Sequence, residues 1–425
     1  MKRRRFIELS AVGSASVVTS FYLPVDNEEK KLQIGLIGAG WYGMVDIKAA
    51  LKVGGVEVIA ICDVDSDHLK SSADEIEKLQ GKRPKTFKYY KELLEIKGLE
   101  AVFIGTMPHW HALQFIAACQ KGLDIYCEKP LAYDIMEGVA MVNAANKAGN
   151  IVQVGFQRRQ SNAFSRTKEL IESGKIGKVH QVVAQINYIP VLEDTKIQQP
   201  PASLDWEEWC GPAPKLDYRP NIGHKAWRLE KEYGNGHLVD WGIHHIDIIR
   251  KIMGEGMPSE LYTRGGIYEL KDKITTPDTL TSNMTFPEYQ LIWQHKLWGI
   301  GDASKEFNNG IFFHGDMGSL FAEDSRVTFF PFKKDSEKEV MNIPTEMMQE
   351  KHVENFLRAV RTRDKAQISC TPEDAFRSTA TVQLAMISYY SNSLVKWDQN
   401  KKEITGNPEG SRLLKRNYRG NLIHP

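Results

Sequence analysis

The stretch Leu32-Gln33-Ile34-Gly35-Leu36-Ile37-Gly38-Ala39-Gly40-Trp41-Tyr42-Gly43 decides the fold of the first part of the chain. Its first half has the short apolar pattern of a buried strand, and a helical pattern follows as far as Leu51. A glycine-rich turn between strand and helix lets the backbone approach a pyrophosphate, and the helix amino terminus favours phosphate charge. We therefore predict a dinucleotide-binding loop formed by Gly38, Ala39, Gly40, Trp41, Tyr42 and Gly43.

A second predicted strand, 56–62, ends at Asp63, twenty residues after Gly43. A carboxylate at this spacing can accept hydrogen bonds from the adenosine ribose hydroxyls and repels a 2′-phosphate. No arginine follows it closely, so the pattern favours NAD over NADP. The alternative is that Asp63 is a helix N-cap or turn residue.

Three further apolar runs, 101–106, 124–127 and 151–155, alternate with helical patterns. This alternation predicts an α/β fold whose parallel sheet is covered by helices on both faces. Ligands of such sheets bind beyond the carboxyl ends of the strands. Thr106, Pro108, Glu128 and Lys129 all lie at such ends, so we expect them in one crevice.

Lys129 follows a buried strand and precedes Pro130. A fixed ammonium group there can polarise a substrate hydroxyl and stabilise developing alkoxide, although most lysines are simply solvated. The same region contains His109 and His111. No cysteine or glutamate stands at ligand spacing from them, so we interpret both as pocket lining and predict no metal site.

The second half of the chain contains a predicted strand, 179–188, and an aromatic loop, 200–227, with Trp206, Trp209 and His224. Indole rings beside polar groups suit a carbohydrate, but buried tryptophans that pin a long loop explain the pattern equally well. We assign to the substrate site Lys129, Tyr188, Trp227, Arg228, Asp240 and His244.

Asp240 and His244 are four residues apart. If the chain is helical from about 238, they share a face, and the carboxylate can orient the imidazole and raise its basicity. Histidine is the usual acceptor of a hydroxyl proton near neutral pH. A buried structural His244 is the alternative, and His245 and Asp247 have the pattern of packing or capping residues.

Later segments have the periodicities of an open antiparallel sheet and two helices. The predicted strands are 279–286, 290–296 and 326–330, and the predicted helices are 351–361 and 372–391. The chain from about 395 is polar, and this composition predicts a tail that lies across the surface.

Bulk composition narrows the class of protein. A chain of 425 residues favours two domains, and its formal charge of +1, without a basic stripe, argues against nucleic acid as a partner. The five cysteines contain no C-x-x-C pair and are interpreted as small buried residues. No apolar run is long enough to span a membrane.

The amino terminus has a different character. The core Arg3-Arg4-Arg5-Phe6-Ile7, before a mildly apolar stretch, is typical of a twin-arginine export signal; a disordered basic tail is the alternative. We therefore expect an exported, periplasmic protein, or a cytoplasmic one if this interpretation is wrong. The predicted organisation is a signal and linker at 1–31, a dinucleotide-binding domain at 32–153, a substrate-binding domain at 154–395, and a tail at 396–425.

Taken together, these motifs resemble the glucose–fructose oxidoreductase/inositol dehydrogenase/rhizopine-catabolism (Gfo/Idh/MocA) family. The resemblance is carried by Gly38-x-Gly40-x-x-Gly43, Asp63, Thr106-x-Pro108-x-x-His111, Glu128-Lys129-Pro130 and Asp240-x-x-x-His244. It implies a Rossmann domain joined to an α/β domain with an open, mostly antiparallel sheet, often an oligomer interface. Cofactor contacts are assigned to Thr106, Pro108, His111, Glu128, Lys129 and Gln157 in addition to the glycine loop and Asp63.

The resemblance also implies NAD(P)-linked oxidation of sugars, cyclitols or their derivatives, with Lys129 and His244 as the catalytic pair and Asp240 in support. Gly234-Asn235-Gly236 and Val239 depart from the usual pattern near the substrate. The expected partners are a small sugar or glycoside and further copies of the chain, as a dimer or tetramer.

Two other functions stay open. The first is a glycoside hydrolase like family 109, which oxidises, eliminates, hydrates and reduces while keeping its NAD; Tyr188, His224 and His295 are candidates for its additional acid or base. The second is a non-enzymatic NAD-bound sensor. The joint presence of Lys129, Asp240 and His244 argues against the sensor, because binding alone does not need them.

Overall fold

A computed structural model describes residues 30–224, 226–254, 256–299, 305–333 and 335–425. The predicted export signal falls on residues 1–29 and lies outside this part of the chain. The strands are β1 (Leu32–Ile37), β2 (Val56–Cys62), β3 (Lys85–Phe87), β4 (Ala101–Ile104), β5 (Asp124–Glu128), β6 (Val152–Gly155), β7 (Val179–Ile186), β8 (Glu260–Gly266), β9 (Thr279–Thr285), β10 (Gln290–Lys296), β11 (Asn309–Gly315), β12 (Gly318–Glu323), β13 (Arg326–Pro331), β14 (Glu339–Asn342), β15 (Val395–Asp398) and β16 (Glu403–Thr405).

The helices surround the two sheets that these strands form. They are α1 (Trp41–Val53), α2 (Ser66–Gln80), α3 (Tyr90–Leu94), α4 (Pro108–Gln120), α5 (Ile135–Ala148), α6 (Asn162–Glu172), α7 (Trp206–Cys210), α8 (Ile243–Met253), α9 (Met348–Thr362), α10 (Pro372–Tyr390) and α11 (Pro408–Arg412). None of the helices in the described part of the chain is both long and apolar enough to cross a membrane. The five cysteines are free and buried, as predicted.

The first sheet is the predicted parallel sheet. Its strand order is β3-β2-β1-β4-β5-β6, and each neighbouring pair is parallel. The central strand β4 is buried along its whole length, because helices cover both faces of the sheet. The carboxyl ends of β1, β2, β4, β5 and β6 therefore lie along one edge, where each strand passes into a loop or helix. This edge forms one wall of the functional site.

The second sheet has the order β14-β13-β12-β11-β7-β10-β9-β8-β15-β16 over the described residues. Its pairs are antiparallel except β7 with β10. In β9 the inward Leu280, Ser282 and Met284 are buried, while their neighbours face outward. This alternation produced the correct strand predictions, whose ends differ from those in the structure by at most two residues.

The helix α9 belongs to the core of the first sheet, although it lies far along the chain. Val353, Phe356 and Leu357 are fully buried in one cluster with Ile34 of β1 and Phe103 of β4. The ring of Phe356 lies 5.6 Å from that of Phe103 in an edge-on arrangement. Residues from the predicted substrate-binding segment thus complete the hydrophobic core of the nucleotide-binding sheet.

The segment after residue 395, predicted as a surface tail, is integrated into the structure. Strands β15 and β16 extend the second sheet beyond β8. Farther on, Tyr418 donates a hydrogen bond of 2.8 Å to Glu137, and His424 lies 2.9 Å from Asp134 at the start of α5. These contacts carry the intervening residues across the mouth of the site described below.

A buried ion pair joins the turn that follows β6 to helix α8. Arg159 donates a 2.7 Å hydrogen bond to Asp247 of α8, and the two side chains are 4% and 1% exposed. Ser378 donates a further 2.7 Å hydrogen bond to Asp247. Asp247, whose sequence pattern indicated only packing or capping, is therefore the centre of a buried polar network.

Replacing Arg159 with methionine should lower the free energy of unfolding by about 3–5 kcal/mol, because it leaves the Asp247 carboxylate buried without its partner. Urea denaturation followed by tryptophan fluorescence measures the change. The matched control is Arg166→Met, which removes an exposed i,i+3 pair with Glu169 and should cost less than about 1 kcal/mol. Equal losses in the two variants would contradict the assignment.

Candidate active site

A cavity of about 740 Å³ lies between the carboxyl edge of the first sheet and the loops of the second half of the chain. Both halves of the predicted site open into it. The predicted residues that line it are Gly38, Gly40, Trp41, Tyr42, Asp63, Thr106, Glu128, Lys129, Gln157, Trp227, Arg228, Asp240 and His244. The cavity therefore brings together most of the residues assigned to cofactor and substrate.

Five assigned residues do not line the cavity: Ala39, Gly43, Pro108 and His111, which are buried, and Tyr188, which is partly exposed. Ala39 is buried, and its carbonyl accepts a 2.7 Å hydrogen bond from Ser72. A Cβ on Gly43 would lie 2.0 Å from the Gly38 carbonyl oxygen, so its role is the close packing of α1 on β1. Pro108 is the buried first residue of α4.

His111 and Tyr188 have supporting positions. The two ring nitrogens of His111 each lie 2.9 Å from a carbonyl oxygen, one of Pro130 and one of Thr106. His111 thus ties together the two loops that carry site residues. Tyr188 is 38% exposed and its ring lies 4.9 Å from that of His237.

The interpretation of His109 as pocket lining is also corrected. His109 is completely buried, and its Nε2 lies 3.0 Å from the Trp209 carbonyl oxygen. Burial holds its pKa at about 3, so it is neutral. Of this histidine–tryptophan–histidine run, only Trp110 reaches the cavity.

The glycine loop fits the pyrophosphate of a dinucleotide. Gly38 has a φ of 89°, which a side chain would strain, and the nearest neighbour of a Cβ on Gly40 would be His68, 3.8 Å away. Helix α1 begins at Trp41 with no side chain capping its amino terminus. Its first backbone amides are therefore available to an anion in the cavity.

Asp63 lies where the ribose contact was predicted. Its Oδ1 accepts a 2.9 Å hydrogen bond from the Asp65 amide, and the residue lines the cavity. Burial, the largest influence, raises its pKa. The N-cap of α2 is Asp65, whose side chain accepts from the amides of Asp67 and His68. The N-cap alternative thus applies to Asp65, whereas the hydrogen bond from the Asp65 amide fits the other alternative, that Asp63 is also a turn residue.

Lys129 is held by Asp240. Its Nζ donates hydrogen bonds of 2.8 Å to the Asp240 carbonyl and 3.0 Å to Asp240 Oδ1, and Arg228 Nε lies 3.1 Å from Asp240 Oδ2. These two cations, acting against burial, lower the pKa of Asp240. Asp240 is therefore an ionised carboxylate between two cations.

The predicted pairing of Asp240 with His244 is wrong. Residues Leu238–Gly242 form a π-helical turn before α8, and a wider turn removes the i,i+4 alignment of an α-helix. The Asp240 carboxylate is directed at Lys129 and Arg228 instead. His244 Nδ1 is buried without a hydrogen-bond partner in the part of the chain that the structure describes.

His244 nevertheless reaches the cavity. Its ring packs between Phe156 and Trp241, with centroid distances of 6.3 and 6.2 Å. Burial lowers its pKa well below the ordinary value, and the positive charges of Lys129 and Arg158 lower it further. His244 is therefore a neutral imidazole at physiological pH, which can accept a proton.

A buried carboxyl lies beside Lys129. Glu128 Oε2 accepts a 3.1 Å hydrogen bond from the Lys129 amide, while Oε1 is buried without a partner among the described residues. Burial raises the pKa of Glu128 to about 8, and Lys129 opposes that rise. Asp46 of α1, fully buried nearby, has a pKa raised by burial and by Glu128. Near neutral pH, Glu128 is thus predominantly protonated.

The Glu128 pKa has a consequence for stability. The folded pKa of Glu128, about 8, exceeds that of an unfolded glutamate. Its contribution to the free energy of unfolding is therefore complete in acid and is lost as the pH rises through 8. The free energy of unfolding should fall by about 2 kcal/mol more between pH 6 and 9 in the wild type than in Glu128→Gln. Urea denaturation across this range measures both slopes, with exposed Glu172→Gln as control. Parallel slopes would contradict the assignment.

Several residues of the cavity were missed by the sequence analysis. Arg158, Trp241, Asp324, His68 and the chain from Arg419 to Leu422 all contribute to its lining. Arg158 had a signal, because it directly follows the assigned Gln157, three residues after the end of the parallel strand β6. Asp324, in the turn between β12 and β13, and the carboxyl-terminal residues had none.

Both interpretations of the aromatic loop, carbohydrate contact and loop anchoring by buried tryptophans, apply to different tryptophans. Trp206 and Trp209 stack with centroids 4.6 Å apart in a small buried cluster with Tyr233. Trp227 lines the cavity, and the guanidinium of Arg228 lies 4.5 Å from its ring centroid. Trp206 and Trp209 pin the loop, although Trp209, 2% exposed, also contributes to the lining of the cavity. Trp227 is available to a ligand. His295, in contrast, is buried against Trp293 and the Pro277 carbonyl.

This combination of a dinucleotide loop on a parallel sheet and a lysine facing a second α/β layer defines a nucleotide-dependent oxidoreductase. The NAD-binding Rossmann-fold model of the Gfo/Idh/MocA oxidoreductase family matches residues 32–156, and the model of the family's carboxyl-terminal α/β domain matches residues 185–424. The chain therefore belongs to the Gfo/Idh/MocA family. It is an NAD-binding oxidoreductase with the fold predicted from the sequence.

Similar proteins are enzymes with related names. Myo-inositol 2-dehydrogenase of Thermotoga maritima is 26% identical over 303 residues, which cover 70% of this chain and 77% of that protein. A glycosyl hydrolase family 109 protein of Stenotrophomonas maltophilia is 36% identical over 134 residues, 30% of this chain and 29% of that protein. An Agrobacterium radiobacter oxidoreductase, solved with NAD+, L-tartaric acid and magnesium, has a TM-score of 0.66 at 18% identity, covering 86% of this chain and 98% of that one.

Proposed function

We propose that this protein oxidises a hydroxyl-bearing carbon of a carbohydrate or cyclitol, with NAD as the hydride acceptor. The observation that carries the proposal is Lys129, whose ammonium is fixed 3.0 Å from Asp240 in the cavity that also contains the neutral His244. A cation and a proton acceptor around one cavity are what alcohol oxidation requires. The dehydrogenase named among the similar proteins acts on a cyclitol, which supports this substrate class.

The roles of the residues follow from their environments. Gly38, Gly40 and the amino terminus of α1 would hold the pyrophosphate, and Asp63 the adenosine ribose. Lys129 donates a hydrogen bond to the substrate oxygen and stabilises its negative charge as it develops. Asp240 fixes the position of Lys129, because it accepts two hydrogen bonds from that ammonium through its carbonyl and carboxylate. His244 accepts the hydroxyl proton.

The experiment that tests the proposal measures cofactor reduction. Purified protein is given NAD and a panel of cyclitols and sugars, including myo-inositol, and absorbance is followed at 340 nm. We expect reduction with at least one member and a lower rate with NADP, because Asp63 disfavours a 2′-phosphate. Absence of reduction across the panel, in protein shown to bind NAD, would count against the proposal.

A second candidate function is glycoside cleavage with a retained cofactor. It is favoured by the 36% identity to a family 109 protein over part of the chain, and by the carboxyl-terminal segment that lines the cavity. Of the three candidates for an additional acid or base, only His224 lines the cavity. Denatured protein releasing nearly stoichiometric NAD, with cleavage of nitrophenyl glycosides and no net change at 340 nm, would establish this function.

We also propose export and self-association. The Arg3-Arg4 pair supports export by the twin-arginine route. Replacing both residues by lysine should keep the protein inside the cell, as cell fractionation would show. The broad second sheet offers a surface for a dimer or tetramer, and light scattering of the purified protein measures the assembly state.

A further inference from the structure

Three potential metal ligands, Asp65, His68 and His224, converge next to Asp63, at the opposite side of the site from Lys129 in the strand order. We call these three residues the Asp65 cluster. Each offers one ligand atom, a carboxylate oxygen or an imidazole nitrogen, and these atoms all lie within 4.8 Å of one another. The proposed oxidation gives none of the three a role, so the cluster requires an explanation of its own.

The start of α2 places two of the three ligands together. Asp65 is the N-cap of the helix and His68 is its third residue, and the side chains at these two positions face each other. Asp65 Oδ1 accepts hydrogen bonds of 2.9 and 3.4 Å from the backbone amides of Asp67 and His68. These bonds orient the carboxylate and leave Oδ2 for another partner. The Asp65 side chain is only 5% exposed, so its position is well defined.

The aromatic loop, 200–227, supplies the third ligand. Its backbone is docked on the start of α2, because Leu204 forms a β-bridge with Asp65 and the Ser66 amide donates a 2.9 Å hydrogen bond to the Ser203 carbonyl. These contacts do not involve His224. At the far end of the loop, His224 Nε2 lies 2.9 Å from Asp65 Oδ2. The fold thus brings His224 to Asp65 across 159 residues of sequence, which explains why spacing gave no indication of the cluster.

The distances within the cluster are close to those of a metal site. Nitrogen and oxygen ligands lie about 2.0–2.2 Å from Zn²⁺, so two ligands of a tetrahedral ion are about 3.3 Å apart. The 2.9 Å between Asp65 and His224 is near this value, and a metal would replace the hydrogen bond that joins them. The ring centroids of His68 and His224 are 4.1 Å apart. The His224 side chain is 32% exposed, so it can rotate to complete the site.

The imidazole of His68 is free to bind a metal. The hydrogen bonds that His68 forms involve its backbone, and neither ring nitrogen has a hydrogen-bond partner in the part of the chain that the structure describes. No existing bond of this ring is therefore lost when it becomes a ligand. His68 and His224 both line the cavity. A metal between them is open to the cavity on one side, where water can fill the fourth position.

We propose that the Asp65 cluster binds one Zn²⁺ ion, which ties the aromatic loop to the start of α2. Two imidazole nitrogens and one carboxylate oxygen suit Zn²⁺, whereas Mg²⁺ and Ca²⁺ prefer sites built from oxygen alone. The ligands come from two segments that are far apart in sequence, so the ion acts as a cross-link between them. This inference goes beyond the proposed oxidation and does not depend on it.

The first test measures metal binding to the NAD-loaded protein. The protein carries no affinity tag, is treated with EDTA, and is freed of EDTA before titration. Co²⁺ is the probe, because its visible absorption is strong in a four-coordinate site and weak in water. Zn²⁺ is then added to displace it. We expect one equivalent of four-coordinate Co²⁺ and a dissociation constant for Zn²⁺ below about 10 μM. Absence of the absorption bands, or weaker binding of Zn²⁺, would overturn the proposal.

Variants of each ligand assign the binding to the cluster. Asp65→Asn, His68→Ala and His224→Ala should each weaken metal binding by at least about 10- to 100-fold. Asp65→Asn keeps the fold intact, because asparagine also caps a helix. The matched controls are Asp67→Asn, in the same turn of α2, and His180→Ala, on β7; both positions are exposed, and both variants should bind as the wild type does. Unchanged binding in any one cluster variant, or an equal loss in a control, would contradict the assignment.

The second test measures the tie between the loop and the helix. Hydrogen exchange of the backbone amides, followed by mass spectrometry, should be slower in residues 206–227 with Zn²⁺ than without it, because local opening then requires loss of the metal. The slowing should be absent in His68→Ala, whose substitution lies outside the loop. Metal binding that leaves exchange in this segment unchanged would overturn the proposed tie. Neither test needs turnover, so a failure here is distinct from a failure of the proposed oxidation.

Discussion

Replacement of Lys129 by alanine should lower kcat about 10³-fold while NAD affinity stays within a few-fold of the wild type. The loss follows because the variant lacks the ammonium that stabilises the developing negative oxygen, a group that is only 12% exposed in the wild type. NAD affinity is retained because the pyrophosphate and adenosine contacts are several strands away, at β1 and β2. Steady-state rates at 340 nm and fluorescence titration with NAD measure the two quantities.

Two further variants sharpen the Lys129 experiment. Lys168→Ala, in an exposed i,i+4 pair with Glu172, is the control and should not change kcat. Asp240→Asn retains the carbonyl that accepts from Lys129 but removes one charged partner, so we expect an intermediate loss. Turnover near the wild-type level in Lys129→Ala would remove this residue from the catalytic role.

Replacement of His244 by alanine should lower kcat about 10²- to 10⁴-fold, the usual contribution of a positioned general base. The wild-type enzyme should also have a distinctive pH profile. Because burial and nearby cations lower the pKa of His244, the imidazole becomes protonated only well below the ordinary histidine range. Activity should therefore persist through pH 6 and fall only in more acidic solution.

The profile of kcat/KM against pH, measured for wild type and His244→Ala, checks this assignment. The acid-side decline that belongs to His244 should be absent from the variant. His180→Ala, at an exposed position of β7, is the matched control and should preserve both rate and profile. A wild-type profile that declines near the ordinary histidine pKa would show that another group is the base.

The nucleotide-binding sheet was predicted well because its local sequence patterns and its overall topology indicate the same structure. Strand, glycine turn and helix follow one another between Leu32 and Val53, and parallel strands with two buried faces are almost continuously apolar. The position of Asp63, one strand away, then follows from the topology alone. For the same reason, the cavity contains most of the residues assigned to it.

Predictions failed where tertiary contacts decide the geometry. Spacing in sequence could not show that the chain near Asp240 forms a π-helical turn, which sends the carboxylate to Lys129 and Arg228. Trp206 and Trp227 have the same local character, and only the packing around Tyr233 separates a loop anchor from a ligand contact. Arg158 was not predicted, although it directly follows the assigned Gln157.

The position of α9 limits how this enzyme can be recombined with its relatives. Val353, Phe356 and Leu357 fill the core of the nucleotide-binding sheet from a point some two hundred residues downstream of β6. A gene fusion that exchanges only the amino-terminal portion would pair a foreign sheet with a helix shaped for this one. Chimeras with altered cofactor preference should therefore exchange α9 together with residues 32–153, so that the sheet and the helix packed on it come from the same protein.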